Sequence, residues 1–561
     1  MKKTIGLSGI VYLNSFTLFP EYLISISALY VLIVSVLITY NVYGLIIQKA
    51  ISECLALVLI MACYLLINDD LIALNFLSFN KSIVNDYFAF LSKLVVCFSS
   101  ALYFLIISNY LKQQKLISSE YLLVALFAVL GLVLLCGSND FLTAYLAIEL
   151  SSLSFYILAS FRKTSTYSVE SGLKYFIIGS ISSAFFLLGS SFIYLSTGSI
   201  NLSDILYIYE YDPMAANAGY LPYLLSVLDF IKADPVYGFG DCLKYYELFS
   251  LEFALQMYGC RFKNDMGWIN ELFYNTNLID LGLALILFSL FIKLGLAPFH
   301  LWSLDVYEGS PTSSTFFFAV IAKFSTFVFL VRICYLSLSY FPDVWVFYSL
   351  VVALLSIFVG SFGGLKTRKL KTLLAYSSIS HMGYILLAFS TFNKFFGLEM
   401  MFFYLIIYIL AGLCNWFIIM NLRLVNKNLN KHSLELSSLT LLSKSNSSLA
   451  FAYALTMFSL AGIPPLIGFL TKMGIFLAVV ENLYYFTALI AVLCSVVSTF
   501  YYIRIIKILY FENSLVGNLY YPINNQKIFI LSLLVFLLIF LFIHPTFLYL
   551  VVHKLFLSMF N

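Results

Sequence analysis

The sequence has 561 residues, 62% hydrophobic and only 10% charged, with 31 Lys and Arg against 27 Asp and Glu. Soluble globular chains run near 45–50% apolar and roughly 25% charged, so the surplus apolar surface must face lipid and a water-soluble fold is excluded. Continuous apolar runs without period-two alternation exclude a β-barrel, and a scattered net charge of +4 excludes nucleic-acid binding.

Before the first apolar run stand only Lys2 and Lys3, then Phe19-Pro20; no transit or signal-peptide pattern is expected. About fourteen apolar segments follow, interrupted by charges. They lie near 22–42, 51–67, 88–110, 121–137, 141–161, 173–195, 278–298, 312–336, 345–362, 372–392, 398–422, 450–480, 486–506 and 528–550. The expected fold is therefore an all-α polytopic membrane protein. Its expected parts are an N-terminal three-helix segment (1–120), two five-segment units (121–336 and 345–506), and a C-terminal loop with a last helix (507–561).

Loops after odd-numbered segments hold Lys49, Lys112, Arg162, Lys163, Lys366, Arg368, Lys369, Arg423, Lys431 and Lys507, whereas the opposite side is poor in basic residues. By the positive-inside rule, the odd loops face the side of synthesis and both termini face the other. The stretch 204–277, between segments six and seven, is acidic and interrupted by Pro213, Pro222 and Pro235. It reads as an extramembrane excursion on the termini's side, either a partner-binding element or a surface loop without activity.

The cysteines never approach closer than Cys54 and Cys63, so no spacing suits zinc or an iron–sulfur cluster. Cys136, Cys334, Cys414 and Cys494 read as small buried hydrophobes. No Walker A motif and no strand-borne GxGxxG is present, so no metal, nucleotide or redox cofactor is expected in this chain. Abundant Phe (56) and Tyr (42) fit an AT-rich, organelle-encoded gene.

An ionisable side chain at mid-membrane depth costs at least ~2.5–3.5 kcal/mol, which makes each one a functional candidate. Glu149 lies in FLTAYLAIELSSLSFYILAS, Lys293 in LALILFSLFIKLGLAPFHLW, Lys323 in TFFFAVIAKFSTFVFLVRI and Lys472 in SLAGIPPLIGFLTKMGIFLAVV. Lys323 is too deep to reach either interface; Lys472 would reach it if its helix ended nearby. Segments seven and twelve are interrupted, at Leu296-Ala297-Pro298 and Gly462-Ile463-Pro464-Pro465. Proline frees backbone carbonyls, tolerated in a membrane only beside protein or water. The broken segment is the fourth of five in segments 4–8 and again in 9–13. Five is odd, so the two units are inverted, and paired breaks in inverted repeats point to ion sites at mid-membrane. His300 follows the first break and His381 lies in segment ten; each is either a proton relay or a hydrogen-bonded packing residue. Glu170 and Lys174 are either a helix-surface pair or an uptake couple near Glu149.

The strings ELSSLSFY (149–156), ESGLKYFIIGSISSAFFLLG (170–189), IKLGLAPFHLWSLDVYEGSPT (292–312), AYSSISHMGYIL (375–386), SLAGIPPLIGFLTKMGIF (459–476) and STFYYIRIIK (498–507) resemble the antiporter-like, proton-pumping subunits of respiratory complex I, and within them the subunit-2 branch of mitochondrial NADH dehydrogenase. The family's glutamate matches Glu149, and its three lysines match Lys293, Lys323 and Lys472. The resemblance implies fourteen helices in two inverted five-helix repeats, in the mitochondrial inner membrane, with the termini and the 204–277 insert in the intermembrane space. It implies a part in proton translocation as a subunit of NADH:ubiquinone reductase. FMN, iron–sulfur clusters and ubiquinone would belong to other subunits. Neighbouring antiporter-like and small core subunits, and lipids such as cardiolipin, are the implied partners. The acidic insert departs from the family pattern, and the first three segments are too degenerate to be matched to it. The alternatives are a stand-alone or chloroplast-type cation/proton antiporter-like protein and a non-pumping structural subunit. A sodium site wants several oxygen ligands, and one carboxylate among three amines does not supply them.

Overall fold

A computed structural model describes residues 18–38, 44–68, 76–114, 119–211, 266–392, 395–422, 435–440, 442–512 and 525–560. The chain enters through α1 (Phe19–Ile38), α2 (Gly44–Ile67), a hairpin of β1 (Phe76–Ser78) and β2 (Ile83–Asn85), and α3 (Tyr87–Gln113). Next come α4 (Ser119–Gly137), α5 (Phe141–Ala159), α6 (Thr166–Thr197), the short α7 (Leu202–Tyr211), α8 (Met266–Leu294), α9 (Leu301–Gly309) and α10 (Thr312–Val331), which runs on as a wider turn over Arg332–Ser337. The remainder is α11 (Pro342–Leu365), α12 (Leu370–Phe389), α13 (Phe395–Asn421), α14 (Ser447–Ala461), α15 (Ile467–Glu481), α16 (Tyr485–Tyr510), α17 (Asn525–Ile543) and α18 (Thr546–Phe560). Among the described residues, eleven helices are long and apolar enough to cross a membrane, or twelve if the pair α17–α18, bent by 80°, counts as one more.

Burial follows from what each helix faces. The windows of α10, α12 and α13 are almost wholly enclosed, whereas most of α6 and α1 presents apolar side chains outward, such as Leu195 and Ile26. With no water inside a bilayer, side-chain hydroxyls bond back to their own helix; Ser154, Ser182 and Ser356 all donate to carbonyls three or four residues earlier. The enclosed helices α10 and α12 carry Lys323 and His381, at the centre of the bundle.

Both expected breaks are present. A gap at residues 295–300 separates α8 from α9, and one at 462–466 separates α14 from α15. Each gap opens with a glycine in left-handed conformation, Gly295 (φ 70°) and Gly462 (φ 79°), and each contains a cis X-Pro bond, Ala297-Pro298 and Pro464-Pro465. The hairpin is an addition to the all-helical expectation. Its strands are too short for alternation to register, and its turn uses positive φ at Phe79, Asn80 and Lys81. Of the expected 204–277 excursion, residues 212–265 lie outside the described residues; its ends are helical, in α7 and α8.

At the hairpin end, Asn139 ties three segments together. Its backbone N–H donates to Ser82 O, its side-chain amide donates to Lys81 O and Ser203 Oγ, and its carbonyl accepts from Leu202 N–H. Lys81 pairs with Asp204 at 2.7 Å. Next to this knot, Asp140 is buried and its Oδ1 has no hydrogen-bond partner. Burial, with the charge of Asp204 second, pushes its carboxyl up to about 6. The folded state thus holds this proton more tightly than an unfolded chain, where carboxylates titrate near 4. The stability it lends is present at low pH and is lost as pH rises from the ordinary carboxylate range through about 6. Asp140→Asn should raise hydrogen-exchange protection of residues 138–143 at pH 7 and flatten its dependence across that window. Unchanged protection would show that Asp140 carries no such penalty.

Candidate functional site

Among the described residues, no carboxylate contacts any of the three lysines Lys293, Lys323 and Lys472. Lys293, in the last turn of α8, donates to Tyr156 Oη at 3.5 Å and lies over the Tyr156 ring. Lys323, buried on α10, donates to Ser378 Oγ at 3.1 Å and lies over the Tyr307 ring of α9. Lys472, buried on α15, donates to the carbonyl of Ala461 at 2.8 Å and lies over the Tyr384 ring. Each ammonium thus has one neutral oxygen and one aromatic face, a pairing in which ring quadrupoles replace a counter-ion.

The two breaks create part of this environment. At the first, the indole N–H of Trp302 donates to the carbonyl of Ile292, which also accepts from Gly295 N–H, and Trp302 stacks on Tyr175 with ring centroids 4.7 Å apart. At the second, Lys472 itself satisfies the last-turn carbonyl of α14. Gly462 permits this on two counts. Its φ of 79° suits glycine, and a Cβ there would stand 2.8 Å from Lys472 Cδ. The interfacial reach considered for Lys472 is not taken; its amine turns inward.

Glu149 lies on the face of α5 shared with Ser152 and Tyr156, at i, i+3 and i+7. Ser152 Oγ approaches its Oε2 at 3.5 Å, and its Oε1 is buried without a partner. Among the described residues, Glu149 and Lys293 do not form a direct ion pair. Lys293 meets α5 at Tyr156, seven residues and so about 10 Å further along the helix. Glu149 acts on it through space.

Helix α12 strings the second half together. Ser378, His381 and Tyr384, at i, i+3 and i+6, face Lys323, a tyrosine pair and Lys472 in turn. His381 Nδ1 contacts Tyr404 Oη at 2.6 Å and its Nε2 contacts Tyr502 Oη at 2.9 Å. Phenols both donate and accept, so either ring nitrogen can gain or lose a proton. A cavity of about 30 Å³ is lined by both Lys293 and Lys323, together with Ser152, Trp302, Tyr307 and Thr326. That is room for water, which needs roughly 10–15 Å³ per molecule by this measure. A second, of about 10 Å³, is lined by His381, Tyr404, Ser459 and Thr471.

His300 is not brought into this line. It precedes α9, its Nδ1 is buried without a partner, and it does not line either cavity. Lys174 contacts both Glu170 and Asp305 at 2.7 Å, so the couple is a triad. Asp305 and Tyr307 both fall inside the motif PFHLWSLDVYEGSP, yet spacing alone gave them no role. Also missed were buried ionisable groups near helix ends, among them Glu21, Lys93, Arg332, Lys371 and Glu399. They sit close enough to polar segments that hydropathy does not isolate them.

Residues 138–229 and 248–498 match the family described as NADH:quinone oxidoreductase/Mrp antiporter, transmembrane region. The chain is 31% identical over 474 residues to NADH-ubiquinone oxidoreductase chain 2 of Marchantia polymorpha, covering 84% of each. It is 32% identical over 435 residues to NADH-quinone oxidoreductase subunit N of Paramagnetospirillum magneticum, covering 78% of this chain and 77% of that one. Its fold is similar to that of a chain of respiratory complex I from Thermus thermophilus (TM-score 0.68, 24% identity, 94% and 98% covered). It is similar also to a chain of the Mrp complex from Dietzia sp. (TM-score 0.70, 16% identity, 97% and 96% covered).

Proposed function

The chain belongs to the NADH:quinone oxidoreductase/Mrp antiporter transmembrane family, and from that membership we propose that it is a membrane-arm subunit of NADH:ubiquinone oxidoreductase that helps move protons across the membrane. The observation that carries the reading is the cavity shared by Lys293 and Lys323, with both amines bound only to neutral groups. A buried ammonium without a contacting carboxylate depends on charges further off, here Glu149. A change in the charge or position of Glu149 changes the balance at Lys293. Its proton then crosses the cavity by water to the neutral amine of Lys323, and leaves Lys293 neutral in turn. From Lys323 the path runs by Ser378 and the hydroxyl-bracketed His381 towards Lys472. The Glu170–Lys174 couple is accessory to this relay. The chain contributes no redox centre to the enzyme; FMN, iron–sulfur clusters and ubiquinone are held by other subunits.

The fold reading goes further in the same direction. Counting α8, the pair α14–α15 and the bent pair α17–α18 as one crossing each, beside the eleven helices that qualify alone, gives the fourteen of the sequence expectation. Two inverted repeats, within 121–336 and 345–506, are supported by the matching breaks and by packing of each broken helix on the helix before it, α8–α9 on α6 and α14–α15 on α13. The segment 1–120 precedes these units and 507–561 follows them. Partners in this reading are adjacent antiporter-like and small core subunits, with lipids such as cardiolipin.

Two tests follow from this reading. Arginine at 323 keeps charge and bulk but does not release a proton, its pKa being above 12. In reconstituted complex, Lys323→Arg should lower the proton-to-electron ratio as far as Lys323→Ala does; rescue by Arg would make Lys323 an electrostatic fixture. The proposed orientation, in the mitochondrial inner membrane with termini and insert in the intermembrane space, predicts protease cleavage within 212–265 once the outer membrane is ruptured. Cleavage only after inner-membrane lysis would reverse it.

A further inference from the structure

Outside the relay, Glu21 of α1 and Lys93 of α3 form a buried ion pair at 2.6 Å, with 5% and 2% exposure. Lys93 also donates to Asn85 Oδ1 at 3.3 Å, where β2 of the hairpin ends. Gly137, ending α4, leaves the room this amine occupies, since a Cβ there would lie 3.1 Å from Lys93 Nζ. Beside the pair, Arg332 holds Asp86 through two bonds of 3.1 Å and reaches Cys136 O at 3.5 Å. The other titratable neighbours are the thiols of Cys97 and Cys136.

Two features distinguish the pair from a simple fastening. A buried ion pair is no better a fastener than well-packed apolar side chains of the same volume, because its desolvation cost offsets its attraction. In addition, both oxygens of the Glu21 carboxylate are buried, and among the described residues Oε1 meets Lys93 only as an ion pair and Oε2 has no donor, an arrangement that a proton would complete. Its position suits exchange with the relay. The cavity holding Lys293 and Lys323 is walled by Leu132 and Leu135 of α4 and Thr326 of α10. Leu135 adjoins Cys136, and Thr326 stands six residues, about 9 Å, before Arg332 on the same helix.

We propose that the Glu21–Lys93 pair is a second outlet, beside the path towards Lys472, at which protons exchange between the lysine-bearing cavity and water at the hairpin end of the bundle. The proposal rests on the proton-translocating reading given above. A proton released from the Lys323 ammonium, carried by water, adds to Oε2 of Glu21 and converts the carboxylate to the acid. The pair then bears one net positive charge. The Lys93 ammonium favours loss of that proton past Asn85 to the aqueous side, the O–H bond breaks, and the carboxylate re-forms the pair. Lys323, left as a neutral amine, is recharged from Lys293.

The test is the proton-to-electron ratio of reconstituted complex carrying Glu21→Gln with Lys93→Met, which removes both charges at nearly constant volume. The expected ratio falls below that of the unmodified complex, by no more than in Lys323→Ala. A ratio equal to that of the unmodified complex would overturn the proposal and leave the pair a fastening. Should the double variant not assemble, Glu21→Gln alone carries the same two outcomes, and Glu21→Asp, which retains the acid, should keep a higher ratio than Glu21→Gln. If Lys323→Ala also pumps normally, it is the underlying relay that fails.

Discussion

A bilayer offers no hydrogen-bond partner to a freed backbone carbonyl, and this constraint organises the molecule. Both broken helices interrupt the backbone ladder in mid-bundle, and side-chain donors meet the carbonyls beside each break. Trp302 joins Gly295 N–H on the carbonyl of Ile292, and the Lys472 amine takes that of Ala461. In the second case the answer to a backbone problem is also the placement of a charge. A lysine that would otherwise run to the interface is drawn inward because an unmet carbonyl waits there and Gly462 has no side chain to obstruct its stem.

The same economy governs the other two amines. Hydroxyls and aromatic faces, from Tyr156, Ser378 and Tyr307, hold Lys293 and Lys323 where carboxylates would fix them as permanent ion pairs. The contrast lies at the bundle ends, where Arg332–Asp86 and Lys81–Asp204 are direct pairs that fasten segments. Glu149 stands between these regimes. Its charge is close enough to bias Lys293 and too far along α5 to immobilise it.

Much of this was legible in the sequence. The helical class, the two breaks and the four ionisable residues stood out because a charge or a Pro in a long apolar run has few benign explanations. Less legible was the connecting chemistry. Tyr156, Tyr404, Tyr502 and Ser378 are common residues in a chain with 42 tyrosines, and nothing in their spacing separates a proton path from core packing. The Ser378–His381–Tyr384 stripe is visible as an i, i+3, i+6 pattern, but its partners lie on α10, α13, α15 and α16, far away in sequence. That Lys293 meets α5 at Tyr156 and not at Glu149 follows from the register of α5 against α8, which the sequence does not reveal. Glu21 and Lys93 escaped notice because each lies within two turns of a helix end, where charge is ordinary.

The central claim is that water in the cavity between Lys293 and Lys323 carries the proton from one amine to the other. Ala322 lines that cavity and is not ionisable, so Ala322→Leu should fill it without altering any charge. The deciding measurement is the proton-to-electron ratio of reconstituted Ala322→Leu complex during NADH oxidation. The account predicts a ratio lowered towards that of Lys323→Ala, whereas an unaltered ratio with the cavity filled would contradict it.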